Sequence, residues 1–257
     1  MASGYIQFVD TAKCFGPVDV VRKTDLGLDR NSLVVFLGPS GCGKTTLMRM
    51  VGGLDEPSSG SILVGGERVV GPDRRRGMVF QSYSSFPWLT VEKNIAFGMR
   101  YRKDIGAAEK AERMRHYLEL FGLADFAGSY PNRISGGMRQ RVAIARTLAA
   151  GSDVLLMDEP FGALDALTRE RLQVELRQIQ IREEKTVIFV THDVEEAVFL
   201  ADRIILFSRR PASVVADIDV AAQLGPQRPL EIRETQKFFE LRNKILHLIR
   251  NQTGVVA

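Results

Sequence analysis

The stretch "SLVVFLGPSGCGKTTLMRM" constrains this chain more than any other. Gly38-Pro39-Ser40-Gly41-Cys42-Gly43-Lys44-Thr45 satisfies G-x-x-x-x-G-K-[ST]. In such a loop the glycines let successive backbone N–H groups curl around phosphate oxygens. The pattern carries meaning only between a strand and a helix; here an apolar run precedes it and a helical pattern follows. Lys44 is then expected to reach the outer phosphates, and the Thr45 hydroxyl to ligate magnesium.

Other chemistry-bearing residues fall at the ends of similar apolar runs. "VLLMDEP" closes on Asp158 and Glu159, which places charge at the carboxyl end of a buried strand, where open α/β sheets bind ligands. Asp158 suits a magnesium site through water, and Glu159 suits a general base acting on an attacking water. His192 follows "VIFVT" and has two readings, a contact to a terminal phosphate or a satisfied polar residue. Gln81 follows the strand-like "GMVF" and could touch magnesium or the attacking water. A second anion-compatible feature needs no lysine: Ser135-Gly136-Gly137 leads straight into a helix, whose first N–H groups and positive dipole end are exposed there. Along that helix Met138, Val142, Ala145 and Ala149 share one face while Arg139 and Arg146 fall elsewhere, on a solvated basic surface rather than a nucleic-acid contact.

The apolar runs "SLVVFLG", "DVLLMDE", "TVIFVTHD" and "RIILFS" alternate with helical stretches, the pattern of an α/β core with a largely parallel sheet. "YIQFVDTAKCF" and "SILVGGERVV", the latter turning at Gly65-Gly66, predict a small antiparallel region beside it. From about residue 88 to 150 charged and apolar residues mix at helical spacing, which reads as a helical insertion. "SVVADIDV" alternates, with Val214, Ala216, Ile218 and Val220 on one face. An amphipathic helix carrying Phe238, Leu241, Ile245 and Leu248 follows Pro226 and Pro229. Over 257 residues, 35 basic against 31 acidic side chains leave a net charge of only +4. That is a solvated surface rather than a nucleic-acid footprint. Cys14 and Cys42 read as reduced thiols, since a disulfide would tie down the loop that contains Cys42, and a cytoplasmic compartment follows. No run approaches the ~20 apolar residues of a membrane span.

Taken in order, "GPSGCGKTT", Gln81, "SGGMRQR", "VLLMDEP", "GALDA" and "THD" resemble the motifs of ATP-binding cassette (ABC) ATPases over roughly residues 5 to 210. Ser135-Gly136-Gly137 is the most diagnostic of them. The resemblance implies a P-loop NTPase (RecA-like) core, with a small antiparallel β region and an inserted α-helical subdomain at about 88–150. The cassette would span 1–210 and a C-terminal extension 211–257. It implies ATP and Mg2+ as ligands, with Gly38, Pro39, Ser40, Gly41, Cys42, Gly43, Lys44, Thr45 and Thr46 around the phosphates. Phe15 would stack on adenine. Thr45, Gln81 and Asp158 would serve magnesium, and Glu159, His192, Gln81 and Lys44 the hydrolysis. Ser135, Gly136, Gly137 and the D-loop Asp165 would meet a nucleotide held by a second copy. Ile134, Met138 and the Asn31-Ser32 turn depart from the family's usual Leu, Gln and Gly-Glu.

"VFQSYSSFPWLTVEKNIAFG", "DEPFGALDALTRE" and "SRRPASVVADIDV" further resemble importer ATPases of the nitrate, sulfonate and taurine group. The implied partners are a second copy of the chain in a head-to-tail dimer, an integral membrane permease and, indirectly, an external solute-binding protein. The implied place is the cytoplasmic face of the membrane. Tyr83, Phe86, Trp88 and Leu89 would help receive the permease or, equally, pack in the core. The alternative is a soluble ABC ATPase acting on nucleic acid or ribosomes; no nucleic-acid partner is expected, because the second cassette, long coiled coil or zinc module of that class is not apparent.

Overall fold

The structure is a computed structural model and describes residues 3–80, 85–162 and 164–253. The chain forms two compact units, residues 1–72 with 170–257, and residues 73–169.

The first unit opens with β1 (Ile6–Phe15), β2 (Val18–Leu28), β3 (Leu33–Leu37), helix α1 (Lys44–Val51), β4 (Ser59–Val64) and β5 (Glu67–Arg68). Strands β2-β1-β4-β5 make the expected antiparallel sheet, with β4 turning into β5 at Gly65-Gly66. The second unit carries β6 (Arg76–Val79), α2 (Val91–Gly98), α3 (Ala107–Leu120), α4 (Gly136–Ala149) and β7 (Val154–Asp158). The boundary falls in the first turn of α5 (Ala166–Arg182). The chain then completes the first unit with β8 (Thr186–Thr191), α6 (Val194–Leu200), β9 (Arg203–Phe207), β10 (Val214–Asp219), α7 (Ala221–Leu224) and α8 (Gln236–Thr253).

In the first unit, β3 is buried at every residue and pairs in parallel with β8 on one side and β9 on the other. Burial on both faces is why "LVVFL" is continuously apolar rather than alternating. Phe36 of β3 lies between Phe8 of β1, 6.3 Å between centroids, and Phe207 of β9, an edge contact at 5.2 Å. The Asn31-Ser32 turn before β3 keeps a left-handed residue: Asn31 sits at φ 58°. Asparagine is among the side chains best suited to replace glycine in that region. Antiparallel β10 covers β9. Its face differs from the expected one, because a register shift between Val214 and Ala216 leaves Val214 exposed while Ile218 and Val220 are buried. Helix α8 packs on α6 through buried Phe238, Leu241 and Ile245; Leu248 is only half-buried.

In the second unit β6 and β7 pair in parallel, Arg76 opposite Val154 and Val79 opposite Met157, and α2, α3 and α4 lie between them in sequence. Helices α2 and α4 cross in close contact: a Cβ at Gly98 would fall 2.2 Å from the Arg146 carbonyl oxygen. The single apolar face expected for α4 is therefore not what forms. Gln140, Val142, Ala143, Ile144, Thr147 and Leu148 are all buried, because the helix is packed from more than one side. Nor do its arginines make a solvated surface. Arg139 Nη1 donates to the Ile134 and Pro131 carbonyls at 2.8 and 3.4 Å, and Arg146 lies over the Phe86 ring at 4.7 Å.

Candidate functional site

Leu37 of β3 pairs with Thr191 of β8 and with Leu206 of β9. Gly38 and His192 thus leave adjacent parallel strands at the same carboxyl edge, as the sequence led one to expect for a ligand site. The phosphate loop is seated against backbone. A Cβ at Gly43, which has φ 124°, would lie 2.9 Å from the Val20 carbonyl oxygen and 3.3 Å from Ala212 Cβ. Only glycine fits there. Ala212 is held in place by backbone bonds to the two β2 residues flanking Val21: its N–H donates to Val20 O at 2.8 Å, and its carbonyl accepts from the Arg22 N–H at 2.9 Å. Residues well beyond the loop therefore form its back wall, and no local motif signals them.

Lys44 is 4% exposed, and its Nζ donates across the loop to the Gly38 and Pro39 carbonyls at 2.7 and 2.9 Å. Ser40 and Gly41 are exposed on the outer curve, Pro39, Thr45 and Thr46 half-buried, and Cys42 buried. Helix α1 has Gly43 as its N-cap, with no side-chain cap and no acidic residue in its first turn. Its positive end and leading N–H groups suit an anion. His192 is exposed, while its neighbour Asp193 caps α6 by accepting from Glu195 and Glu196 N–H groups at 2.8 and 3.1 Å. Phe15 is 49% exposed at the β1–β2 turn, with Lys13 Nζ 4.8 Å from its ring centre. Both cysteines are free thiols.

The second unit holds the remaining expected residues. Asp158 ends β7 and Glu159 follows it, both half-buried. Glu159 has φ 43° directly before Pro160, a left-handed backbone that a non-glycine residue adopts at a cost of about 1–3 kcal/mol. Strain of this kind concentrates at functional positions, and it is a sign that the sequence did not offer. Ser135 is exposed and caps α4, its hydroxyl accepting from Met138 N–H at 3.3 Å. Gly136 and Gly137 form the first turn after it, ahead of the helix's own hydrogen-bond ladder. The Asp165 carboxylate accepts from Thr168 N–H at 3.0 Å, and that bond holds it below the usual carboxylate range. Gln81 and Tyr83 lie outside the described residues.

An unforeseen clamp shapes the segment before α2. Asn94 is fully buried; its Oδ1 accepts from Phe86 N–H at 2.8 Å, and its Nδ2 donates to the carbonyls of Phe86, Leu89 and Thr90 at 3.0–3.1 Å. Phe86 packs on Phe97 and Trp88, and Trp88 remains 70% exposed.

Among the described residues no cluster of three or more His, Cys, Asp or Glu side chains is assembled for a metal. Magnesium takes one or two protein oxygens and completes its shell with phosphate and water. The Thr45 hydroxyl and the Asp158 carboxylate are hard oxygen donors of that kind.

A strand, a glycine-rich cradle with a buried lysine, and a helix start without a side-chain cap define a P-loop nucleotide-binding α/β protein. Comparison with known proteins makes the class specific. The family model described as ABC transporter matches residues 21–162. A nitrate import ATP-binding protein of Synechocystis sp. is 40% identical over 256 residues, covering 96% of each chain. An aliphatic sulfonates import ATP-binding protein of Bacillus thuringiensis is 42% identical over 237 residues, 91% of this chain and 90% of the other. Among solved structures, a dimeric ATP-binding cassette in a post-hydrolysis state bound to ADP and Pi superposes with a TM-score of 0.71 at 30% identity, over 84% of this chain and 98% of its own. The chain belongs to the ABC transporter family, as an ATP-binding and ATP-hydrolysing subunit. No helix among the described residues is long and apolar enough to cross a membrane.

Proposed function

We propose that this chain powers a membrane importer for a small solute of the nitrate, sulfonate or taurine kind, by ATP-driven closure of a head-to-tail dimer at the cytoplasmic face. In this reading the cassette spans 1–210 with the helical subdomain at about 88–150, and 211–257 is an extension. Lys44 and the N–H groups of Gly41 to Thr46 hold the phosphates of ATP. Phe15 stacks on its base, and Ser135, Gly136 and Gly137 of a second copy, with its Asp165, close over the terminal phosphate. Glu159 takes a proton from the water that attacks the γ-phosphorus as the bond to the β–γ bridging oxygen breaks, giving ADP and phosphate. His192 and Gln81 orient the terminal phosphate and that water. Thr45, Asp158 and Gln81 would hold Mg2+, which when bound offsets charge on the phosphoryl oxygens.

The observation that carries the dimer is Ser135: an exposed, self-capped helix start with anion-ready N–H groups and no lysine of its own. Ser135→Arg is expected to leave ATP affinity of the monomer nearly intact and to abolish the ATP-dependent dimer that Glu159→Gln accumulates. A Ser135→Arg, Glu159→Gln chain that still dimerises on ATP refutes the trans geometry. The importer is supported by the relatives and by the exposed Trp88, clamped on a turn where a permease would dock. Trp88→Glu is expected to release the chain from permease-containing membranes while its ATPase activity persists; unchanged attachment would exclude that docking face.

A further inference from the structure

In the first unit a cavity of about 520 Å³ opens between α5 and the segment 227–229. Val174, Ile181 and Pro229 supply apolar wall, Arg177, Arg182 and Arg228 supply guanidinium groups, and no acidic side chain among the described residues lines it. Arg177 and Arg228 are 4% and 5% exposed. Asp202 is the neighbouring carboxylate, and it is already engaged. It accepts from both terminal nitrogens of Arg177 and, at 2.8 Å, from the Leu33 N–H at the start of β3. Arg177 also donates to the Pro226 carbonyl at 3.1 Å.

Arg177 leaves only its Nε unbonded, and Arg228 leaves two nitrogens so. Its Nη2 donates to the Ala201 carbonyl at 3.1 Å, but its Nε and Nη1 are buried without a hydrogen-bond partner. Burial, and then the Arg177 charge, push its pKa down to about 10, so it remains a cation at neutral pH. Buried polar groups in native proteins are bonded in roughly 90% of cases or more, and a buried charge lacking a counter-ion is costly. Arg182, exposed at the rim, adds a second positive group to the same cavity. The chemistry missing from this place is an anion.

We propose that the cavity binds a small organic anion, an alkyl sulfonate or carboxylate. Its head group pairs with Arg182 at the rim and is drawn by the buried positive charge of Arg228, and its chain lies against Val174, Ile181 and Pro229. The planar guanidinium fork suits a head group with two or three equivalent oxygens. The apolar wall selects against a bare inorganic ion, and the volume falls within the ~300–1,000 Å³ usual for small-ligand pockets. None of its lining residues belongs to the nucleotide loop or to the transport reading, so its failure would leave both untouched.

The test is calorimetric titration of the full chain with hexanesulfonate, the phosphate loop being saturated with ADP. One saturable site is expected. Removing the Arg228 charge in Arg228→Met, or reversing the Arg182 charge in Arg182→Glu, should weaken it about tenfold or more, with ADP affinity unchanged in both. Arg182 is exposed, so its variant decides the matter if Arg228→Met does not fold. The proposal is overturned by no saturable binding, by binding that survives the Arg182 substitution, or by 1-hexanol or inorganic sulfate binding as tightly as hexanesulfonate.

Discussion

Asn94→Ala removes a side chain that touches no nucleotide, yet it should alter the one surface where this chain is proposed to meet its permease. The buried amide satisfies the Phe86 N–H and shares its two hydrogens among the carbonyls of Phe86, Leu89 and Thr90. Truncation therefore deletes the equivalent of three hydrogen bonds, at about 1 kcal/mol net each. Alanine's better helix propensity returns roughly 0.6 kcal/mol. The balance is a loss of about 2–3 kcal/mol, concentrated in the turn from Phe86 to Thr90.

Trp88, the chain's single tryptophan, sits in that turn and is 70% exposed, so it reports on the turn directly. Urea denaturation followed by circular dichroism gives the stability, and steady-state anisotropy of Trp88 gives the local order. The expected result is the stated loss together with a fall in anisotropy, while ADP affinity stays at the wild-type value. Asn94→Asp is the stricter variant: it keeps the acceptor for Phe86 N–H but turns a carboxylate oxygen toward three carbonyls. It should be at least as damaging at neutral pH and should recover as the carboxyl protonates. Wild-type stability and unchanged anisotropy in Asn94→Ala would refute the clamp.

Glu159→Gly should relieve the left-handed strain at φ 43° and raise stability by about 1 kcal/mol, while Glu159→Gln keeps the strain; both should lower ATP turnover by at least ~100-fold, read by phosphate release. Gly43→Ala, at φ 124° and blocked by the Val20 carbonyl at 2.9 Å, should cost a packing term of about 1–3 kcal/mol on top of the backbone term. Gly41→Ala, with nothing within 4 Å of the new Cβ, should cost only the backbone term of about 1–2 kcal/mol; thermal denaturation of the pair separates the two. Asp104 is held well below the usual carboxylate range by the Arg102 guanidinium at 2.6 Å and further by Arg74. Its folded pKa is depressed, so its stabilisation is complete above the unfolded value of ~3.9 and is lost as pH falls through the lower folded value. Carboxyl-detected NMR should find its midpoint below those of other aspartates, and Arg102→Met should move it up.

How much of this was legible in the chain follows from how local each cause is. β3 could be read because burial on both faces writes itself into five consecutive residues, and the loop because its glycines, lysine and threonine lie within one short stretch of chain. Arg146 could not be read. Its helix looked one-sided, and only the approach of Gly98 to its carbonyl, and of Phe86 to its guanidinium, removes it from water. Val214 was misplaced by a register shift that alternation alone does not reveal. The positive φ of Glu159 and the two unbonded nitrogens of Arg228 are invisible for the same reason, since each depends on what surrounds the residue rather than on its neighbours in sequence.

The two helix starts with which the function began were both visible, but the difference between them was not. Helix α1 is capped by a glycine and offers no side chain to its own leading N–H groups. Helix α4 is capped by Ser135, whose hydroxyl takes the Met138 N–H, and Arg139 braces the preceding carbonyls of Pro131 and Ile134. A side-chain cap contributes about 0.5–2 kcal/mol to holding a helix start. On the proposed reading that difference follows the division of labour. The cradle that carries the nucleotide in its own chain gives up its cap, so that every leading N–H can turn to phosphate. The cradle that meets the nucleotide only when a second copy arrives has to keep its shape between encounters, and it is the one that caps itself.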